Sequence, residues 1–213
     1  MPVVSDFSAA FLQGFATSAG LIVAIGAQNA FVLTQGLVRR HHWPIAALCS
    51  LIDALLILTG VLGAGLLFER HPALLQAVTL GGLLFLLLYG ARALRAALRG
   101  ASQSLGERRN LSLRAALLTT LALSLLNPHV YLDTLVLLGA IGGRYPGEAQ
   151  GAFALGAMAA SSGWFFALGL AARWLAPLFA RPAAWRVLDL GVCLLMWSVA
   201  LALWQSLPAL PRA

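Results

Sequence analysis

The sequence predicts an all-α, polytopic membrane protein with six transmembrane helices. Of its 213 residues, 61% are hydrophobic and only 10% are charged, whereas a soluble domain carries about 25% charged residues. Apolar runs of about twenty residues recur along the chain, which is the length that a helix needs to cross the bilayer. No polar stretch is long enough to fold separately, so we predict a single transmembrane domain, 1–213.

Six segments are predicted to cross the membrane: Phe7–Gln35, Trp43–Phe68, Pro72–Arg92, Ser112–Gly142, Gly147–Leu175 and Ala184–Leu207. The first lacks a basic residue before it and a small-residue cleavage site after it, so we expect a retained helix and no signal peptide. The first and fourth segments have about 30 residues each, or roughly 45 Å as straight helix. This exceeds the ~30 Å hydrocarbon core, so both are expected to tilt or break.

The orientation follows from the basic residues. The net charge of +7 comes from fourteen arginines, without lysine, against seven acids. Eleven of these arginines fall in the loops after segments one, three and five, most of them near or within the loop 93–111. The positive-inside rule makes these loops cytoplasmic and places both termini in the periplasm. The arginines share no soluble face, so they predict contact with anionic lipid and no nucleic acid partner.

Weak internal symmetry divides the chain into halves of about 1–98 and 112–213. Each half holds three segments and opens with a long, interrupted one. An odd number of segments per half gives the halves opposite topology. Interrupted segments at matching positions in two inverted halves are typical of a transporter's binding site. If one segment is re-entrant instead, the termini lie on opposite sides of the membrane.

The fourth segment is interrupted by the sequence Asn127-Pro128-His129-Val130-Tyr131-Leu132-Asp133. Pro128 breaks the helical hydrogen-bond pattern and disfavours helix at the residue before it. His129 and Asp133 share a face if the helix resumes. An imidazole beside a carboxylate can relay protons, and a hydrogen-bonded packing residue is an equally good interpretation of His129.

Gly26, Gln28 and Asn29 interrupt the first segment. Glycine loosens the helix there, and the two amides can each donate and accept hydrogen bonds. We therefore predict a helix break at Gly26 and a role for Gln28 and Asn29 in holding a ligand. The simpler interpretation is hydrogen bonding between helices.

Asp53 lies in the middle of the second segment, and no arginine lies at a comparable depth in any segment. A carboxylate at this depth costs about 2.5–3.5 kcal/mol on insertion scales. It must therefore face a cavity, pair with a cation or be protonated, and the same holds for Asp133. Two uncompensated acids, one in each half, predict a site for a cation. Ser161-Ser162-Gly163 predicts only close helix packing.

The sequence supports other functions less well than transport of a cation. An intramembrane aspartyl protease also uses two aspartates, but Asp53 lacks the expected glycine-rich context. A divalent metal ion exporter using Asp53, Asp133 and His129 is the main alternative, although no dense cluster of ligands occurs. A scaffold needs neither broken helices nor unpaired acids. We predict no enzyme, no cofactor and no bound metal. Either a monomer or a homo-oligomer is compatible with the sequence.

Three motifs resemble the lysine/arginine exporter family of bacteria, and the similarity runs nearly end to end. They are I-V-A-I-G-A-Q-N-A-F-V-L with Q-G-L at Ile22–Leu37, S-L-I-D at Ser50–Asp53, and L-N-P-H-V-Y-L-D-T with L-L-G-A-I-G within Leu126–Gly142. The chain has Ala27 where some arginine-exporting relatives carry proline. The resemblance implies functional weight for four positions: Asn29, Asp53, Asn127 and Asp133.

The resemblance also implies a secondary carrier in the inner membrane that exports L-arginine, L-lysine or both. An inside-negative potential opposes the outward movement of a cation by about 2.3 kcal/mol per charge per 100 mV. Export therefore needs coupling to an ion gradient or to the membrane potential, and we expect antiport against protons that enter the cell. In this hypothesis Asp53 and Asp133 bind the cationic side chain, while Gln28, Asn29 and the helix ends at Asn127 bind the α-amino and α-carboxylate groups.

Overall fold

The structure, a computed structural model, describes residues 2–23, 26–64, 72–99 and 110–206. Within these ranges the chain forms helices and no strand, which confirms the all-α prediction. The α-helices are α1 (Pro2–Ile22), α2 (Ala27–Leu37), α3 (His42–Thr59), α4 (Pro72–Arg99), α5 (Leu113–Leu125), α6 (Pro128–Tyr131), α7 (Gly139–Gly142), α8 (Glu148–Leu175) and α9 (Pro182–Ser206). The π-helical segments are π1 (Gly60–Ala64), after α3, and π2 (Leu132–Leu138), between α6 and α7. A short 3₁₀ turn, Leu178–Ala180, precedes α9.

In the described part of the chain, four helices are long and apolar enough to cross a membrane: His42–Gly63, Thr79–Arg99, Glu148–Leu175 and Pro182–Gln205. The other two predicted segments are bent pairs. The first pair, α1 with α2, bends by 82°, and α5 bends by 64° relative to His129–Gly142. If each bent pair counts as one span, the total is six. Large apolar side chains such as Leu62, Leu84 and Leu194 are exposed, as expected of a surface that faces lipid.

The third segment continues as helix past Arg92, as the spacing of Arg92, Arg95 and Arg99 predicts for a helix that extends into the headgroup region. Helix α4 ends at Arg99, so the first part of the basic loop predicted at 93–111 is helical. Arginine is a good helix former, and its long side chain lets its charge reach the headgroup region while the backbone stays helical. The remainder of that prediction, including Arg108 and Arg109, falls on residues 100–109, which lie outside the described ranges, as does the predicted end of the second segment at Phe68.

The short helix α2 forms the centre of the molecule. Ten of its eleven residues are buried, and Phe31 and Val32 belong to the largest hydrophobic cluster, together with residues of α3, α4, α5, α8 and α9. A helix that is buried on all sides is normally apolar throughout. Helix α2 nevertheless carries Gln28, Asn29 and Gln35, which are buried too. Polar groups in the core of the protein are therefore concentrated on this element.

The helices pack across the two halves of the sequence. Helix α1 packs on α8, and α3 packs on α5 and π2. Helix α3 also contacts α8, while α4 packs along α9. If segments one, two and three are exchanged for four, five and six, the contact of α1 with α8 becomes the contact of α5 and π2 with α3. The contacts of α3 with α8 and of α4 with α9 are unchanged by this exchange. The packing thus has the form expected of two related halves.

Two pairs of glycines allow especially close approach. A Cβ atom at Gly14 would overlap the carbonyl oxygen of Phe153, and one at Gly156 would overlap the carbonyl oxygen of Phe11, so α1 and α8 touch backbone to backbone. A Cβ atom at Gly60 would lie 2.6 Å from the carbonyl oxygen of Thr134, and one at Gly139 would lie 2.7 Å from the carbonyl oxygen of Gly60. Glycine is needed at these positions because any side chain would push the helices apart.

Candidate functional site

A cavity of about 280 Å³ lies between the two breaks in the bent helices. It brings together the polar residues that the sequence predicts for a site, namely Gln28, Asn29, Asp53, Asn127, His129 and Asp133, and also Gly26. These residues come from α2, α3, the second break, α6 and π2. Their side chains lie around one space although they span more than a hundred positions in the chain.

The first break separates α1 from α2. Helix α1 ends at Ile22 and α2 begins at Ala27, with Gly26 in an extended conformation (φ −102°, ψ 177°) just before it. The amide nitrogen Nδ2 of Asn29 donates a hydrogen bond of 2.8 Å to the carbonyl oxygen of Ile22. Free backbone carbonyls at a helix end are costly where water is scarce. Asn29 therefore stabilises the break itself as well as lining the cavity.

The second break has its own hydrogen bonds. Helix α5 ends at Leu125, and Pro128 is the first residue of α6, where its missing N–H is not needed. The Asn127 side-chain oxygen accepts a bond of 3.2 Å from the backbone N–H of His129. The hydroxyl of Tyr131 donates a bond of 2.6 Å to the carbonyl oxygen of Leu125. At each break, a side chain that follows the break donates a hydrogen bond to a backbone carbonyl that precedes it: Asn29 to Ile22 at the first break and Tyr131 to Leu125 at the second.

Gln28 presents an unsatisfied donor. Its side chain is 8% exposed. Its amide nitrogen Nε2 has no oxygen or nitrogen partner among the described residues, and its only described neighbour for a hydrogen bond is the buried Cys49 thiol, which is a weak acceptor. An unpaired buried polar atom costs about 1–3 kcal/mol, so a native structure normally supplies a partner for it. Because Gln28 lines the cavity, a bound molecule with an acceptor group can be that partner.

Asp53 is enclosed, with only 6% of its surface exposed. The hydroxyl of Ser161, on α8, donates a hydrogen bond of 2.7 Å to its Oδ2 atom. Ser161 is a residue that the sequence analysis missed as part of the site. Serine in a helix commonly satisfies its hydroxyl with a nearby backbone carbonyl, so its position gives no signal of a bond to a distant carboxylate.

Asp133 is placed more openly. It is half-buried, lies in π2, and faces the cavity together with His129, which is exposed. Within the described ranges, no side chain donates a hydrogen bond to the Asp133 carboxylate. Isolated π-helical turns are frequent at functional sites because they re-aim side chains that a regular α-helix would place elsewhere. The Asp133 carboxylate is therefore accessible to a molecule in the cavity.

The cavity suits a small organic cation. Its volume is close to the lower limit of about 300 Å³ for ligand pockets. Asp53 and Asp133 supply two acidic groups, and side chains such as Leu21, Ile57 and Phe165 supply apolar walls. In the part of the chain that the structure describes, no three His, Cys, Asp or Glu side chains come close enough to hold a metal ion. The buried thiols Cys49 and Cys193 are free.

Most of the chain is similar to a known protein family and to named relatives. Residues 19–206 match the family described as LysE type translocator. A protein named Arginine exporter protein ArgO from Yersinia enterocolitica serotype O:8 / biotype 1B is 49% identical over 196 residues, which are 92% of this chain and 96% of that protein. The proteins of the same name from Serratia proteamaculans and Salmonella newport are 47% and 44% identical, over 93% and 91% of this chain and 98% and 92% of theirs.

No solved structure gives a significant match to this chain. The family match covers most of the chain, and the relatives align with it over nearly their whole lengths. The resemblance inferred from the motifs around Asn29, Asp53 and Asp133 is therefore confirmed. This protein belongs to the LysE type translocator family.

Proposed function

We propose that this protein exports L-arginine from the cytoplasm, across the bacterial inner membrane, as a secondary active transporter. One observation carries the proposal: two acids and an unsatisfied amide donor line a single cavity between two broken helices. The names of the relatives support arginine as the substrate, because chains that are 44–49% identical to this one are called arginine exporters.

The chemistry of the cavity matches the two ends of arginine. The guanidinium group presents five N–H donors, which carboxylates accept well. We place this group between Asp53 and Asp133. At the other end of the substrate, Nε2 of Gln28 donates to the α-carboxylate. Gln28 is the second residue of α2, so the positive end of that helix's dipole also favours the anion there.

Export of the cation requires an energy source. The membrane potential opposes its outward movement by about 2.3 kcal/mol per 100 mV. We propose that an inward proton supplies the energy and that Asp133 carries it, because the Asp133 carboxylate is open to the cavity and free of hydrogen bonds from described side chains. On the periplasmic side, protonation of Asp133 removes one of the two charges that hold the guanidinium, and arginine leaves.

The orientation follows the arginine-rich loops. Arg39, Arg40, Arg173, Arg181 and Arg186 lie at helix ends, and contacts gather those ends at one side of the molecule. Leu37, at the end of α2, packs with Ala172 of α8 and Trp185 of α9. The ring of His41 donates a bond of 3.0 Å to the Leu111 carbonyl oxygen, before α5. We call this side the basic end and propose that it faces the cytoplasm.

Efflux from liposomes tests the proposal. The purified protein is reconstituted, the vesicles are loaded with labelled L-arginine or L-lysine, and efflux is followed under an imposed pH gradient. We expect arginine efflux from the wild type and a loss of at least about 30-fold in Asp53→Asn, because removing one partner of a buried charge interaction costs about 2–5 kcal/mol.

Glu148→Gln is the matched control. Glu148 is an exposed acid at the start of α8 and does not line the cavity, so its loss should leave efflux unchanged. Wild-type vesicles that release neither amino acid would contradict the proposal. Release of a divalent metal ion from the same vesicles would then favour the metal-exporter alternative.

A further inference from the structure

A second cavity lies at the basic end. Its volume is about 260 Å³, and its walls come from α2, α4, α5 and α9. Six of its lining residues are polar: Thr34, Gln35, Tyr89, Arg92, Thr119 and Asp189. Unlike the central cavity, it contains one basic and one acidic side chain. A cavity with one basic and one acidic side chain is suited to a molecule that carries both a positive and a negative charge.

Gln35 indicates that something binds there. Its side chain is 1% exposed, and its oxygen Oε1 has no hydrogen-bond partner among the described residues. A buried amide oxygen without a partner is as unusual as the unpaired donor of Gln28 in the central cavity. Asp189 is equally buried, at 1% exposure. Both residues line the second cavity, so a ligand with N–H donors can satisfy the Gln35 oxygen.

The two cavities are joined by α2. Gln28 and Gln35 are seven residues apart, which is nearly two helical turns, so they share one face at a separation of about 10 Å. The same spacing occurs on α9, where Val192 lines the second cavity and Val199 lines the central one. The second cavity therefore lies on the side of the central cavity that faces the basic end, about two helical turns along α2 from Gln28.

We propose that the second cavity is an entry site, where a basic amino acid from the cytoplasm binds before it moves to the central cavity. This inference rests on the proposed function. The guanidinium of Arg92 pairs with the α-carboxylate, and the Gln35 oxygen accepts a hydrogen bond from the substrate's N–H donors. The Asp189 carboxylate, which also has a partner within the protein, adds negative charge to the cavity wall. A zwitterion with a cationic side chain uses all three, whereas a simple metal cation is repelled by Arg92.

The entry site predicts an effect that depends on the side of the membrane. Two variants remove one contact each: Arg92→Gln and Gln35→Met. In vesicles with uniform orientation, each should raise the arginine concentration that gives half-maximal transport from the basic end about tenfold. Half-saturation measured from the opposite side should stay within about twofold, since substrate that enters there reaches the acids first.

Arg95→Gln is the control for charge, because Arg95 lies one turn further along α4, is exposed and lines neither cavity. Gln35→Met also distinguishes binding from structure. The Gln35 oxygen has no partner among the described residues, so its removal should not lower the thermal unfolding midpoint. A role in folding alone would lower that midpoint.

Changes of equal size on both sides, or no change on either side, would overturn the entry site while leaving arginine export intact. If the wild type transports no arginine at all, the proposed function fails and the entry site fails with it. The two failures are therefore distinguishable within one set of vesicles.

Discussion

Asp53 and Asp133 face the same cavity from very different surroundings. Asp53 lies on α3, a helix that runs without interruption until π1, and it is enclosed and hydrogen-bonded by Ser161. Asp133 lies in a π-helical segment after a break, half-buried and without a hydrogen bond from any described side chain. The Asp53 side chain is thus held in place by its surroundings, whereas the Asp133 side chain is open to the cavity.

This difference suggests a division of labour. A carboxylate whose position is fixed can define where the substrate's cation binds, since catalytic and transport sites depend on preset geometry. An open carboxylate can exchange a proton with water in the cavity. The segments that directly follow the two acid-bearing helices touch at Gly60, just after α3, and Gly139, just after π2. A change of charge on Asp133 therefore occurs next to the element that holds Asp53.

The largest expected effect comes from lengthening each acid by one methylene group. Asp53→Glu should reduce arginine transport by about 100-fold, because the longer side chain moves the carboxylate away from the Ser161 hydroxyl and from the position that holds the guanidinium. Asp133→Glu should retain most of the transport rate. Initial efflux rates from matched vesicles measure both. Equal losses in the two variants would show that the surroundings of the acids do not matter.

Replacing the open acid by an amide should separate coupling from binding. In Asp133→Asn, the stimulation of efflux by a pH gradient should fall about tenfold or more, since the side chain no longer takes up a proton. Exchange of labelled for unlabelled arginine without a gradient should continue at a reduced rate. A variant that keeps normal stimulation by the gradient would exclude Asp133 as the proton carrier.

A smaller effect is expected from the hydroxyl that fixes the enclosed acid. Ser161→Ala removes a hydrogen bond to a charged group, which is worth about 1.5–3 kcal/mol. The arginine concentration for half-maximal efflux should rise about tenfold, with little change in the dependence on the pH gradient. Ser162→Ala, the neighbouring position, serves as the control. If Ser161→Ala altered the coupling instead, Asp53 would be the proton carrier.

The smallest effect is expected at the second break. Tyr131→Phe removes the bond to the Leu125 carbonyl oxygen, worth about 1 kcal/mol. The thermal unfolding midpoint should fall slightly, and transport should slow by a few-fold, because the arm that carries Asp133 is held less firmly. Tyr145→Phe is the matched control, because it removes a tyrosine hydroxyl that donates to Gln13 and does not line the central cavity. An unchanged midpoint would mean that this hydrogen bond does not stabilise the break.

The residues that line the central cavity can be picked out in the sequence, because charged and helix-breaking residues are rarely found in membrane-spanning segments. Asp53, Asp133 and His129 are costly in a hydrocarbon environment, and Pro128 breaks a helix wherever it occurs in one. Each of these signals is local and can be recognised without knowledge of the fold. They predict where helices break and which polar groups need a cavity.

Other features depend on neighbours that are distant in the chain. Ser161 meets Asp53 only through the packing of α8 on α3, and the second cavity needs residues from four helices. Gln35 alone resembles any amide near the end of a helix. The π-helical segments have no sequence signature of their own. These features could not be predicted from local patterns.

The backbone contact between α1 and α8 at Gly14 and Gly156 has a kinematic consequence. Because these helices belong to different halves of the sequence, the halves cannot rotate apart as two rigid bodies without opening this contact. A rigid-body movement that kept this contact would move α1 together with α8, and Ser161 with them. The unit that such a movement carries would contain helices from both halves of the sequence.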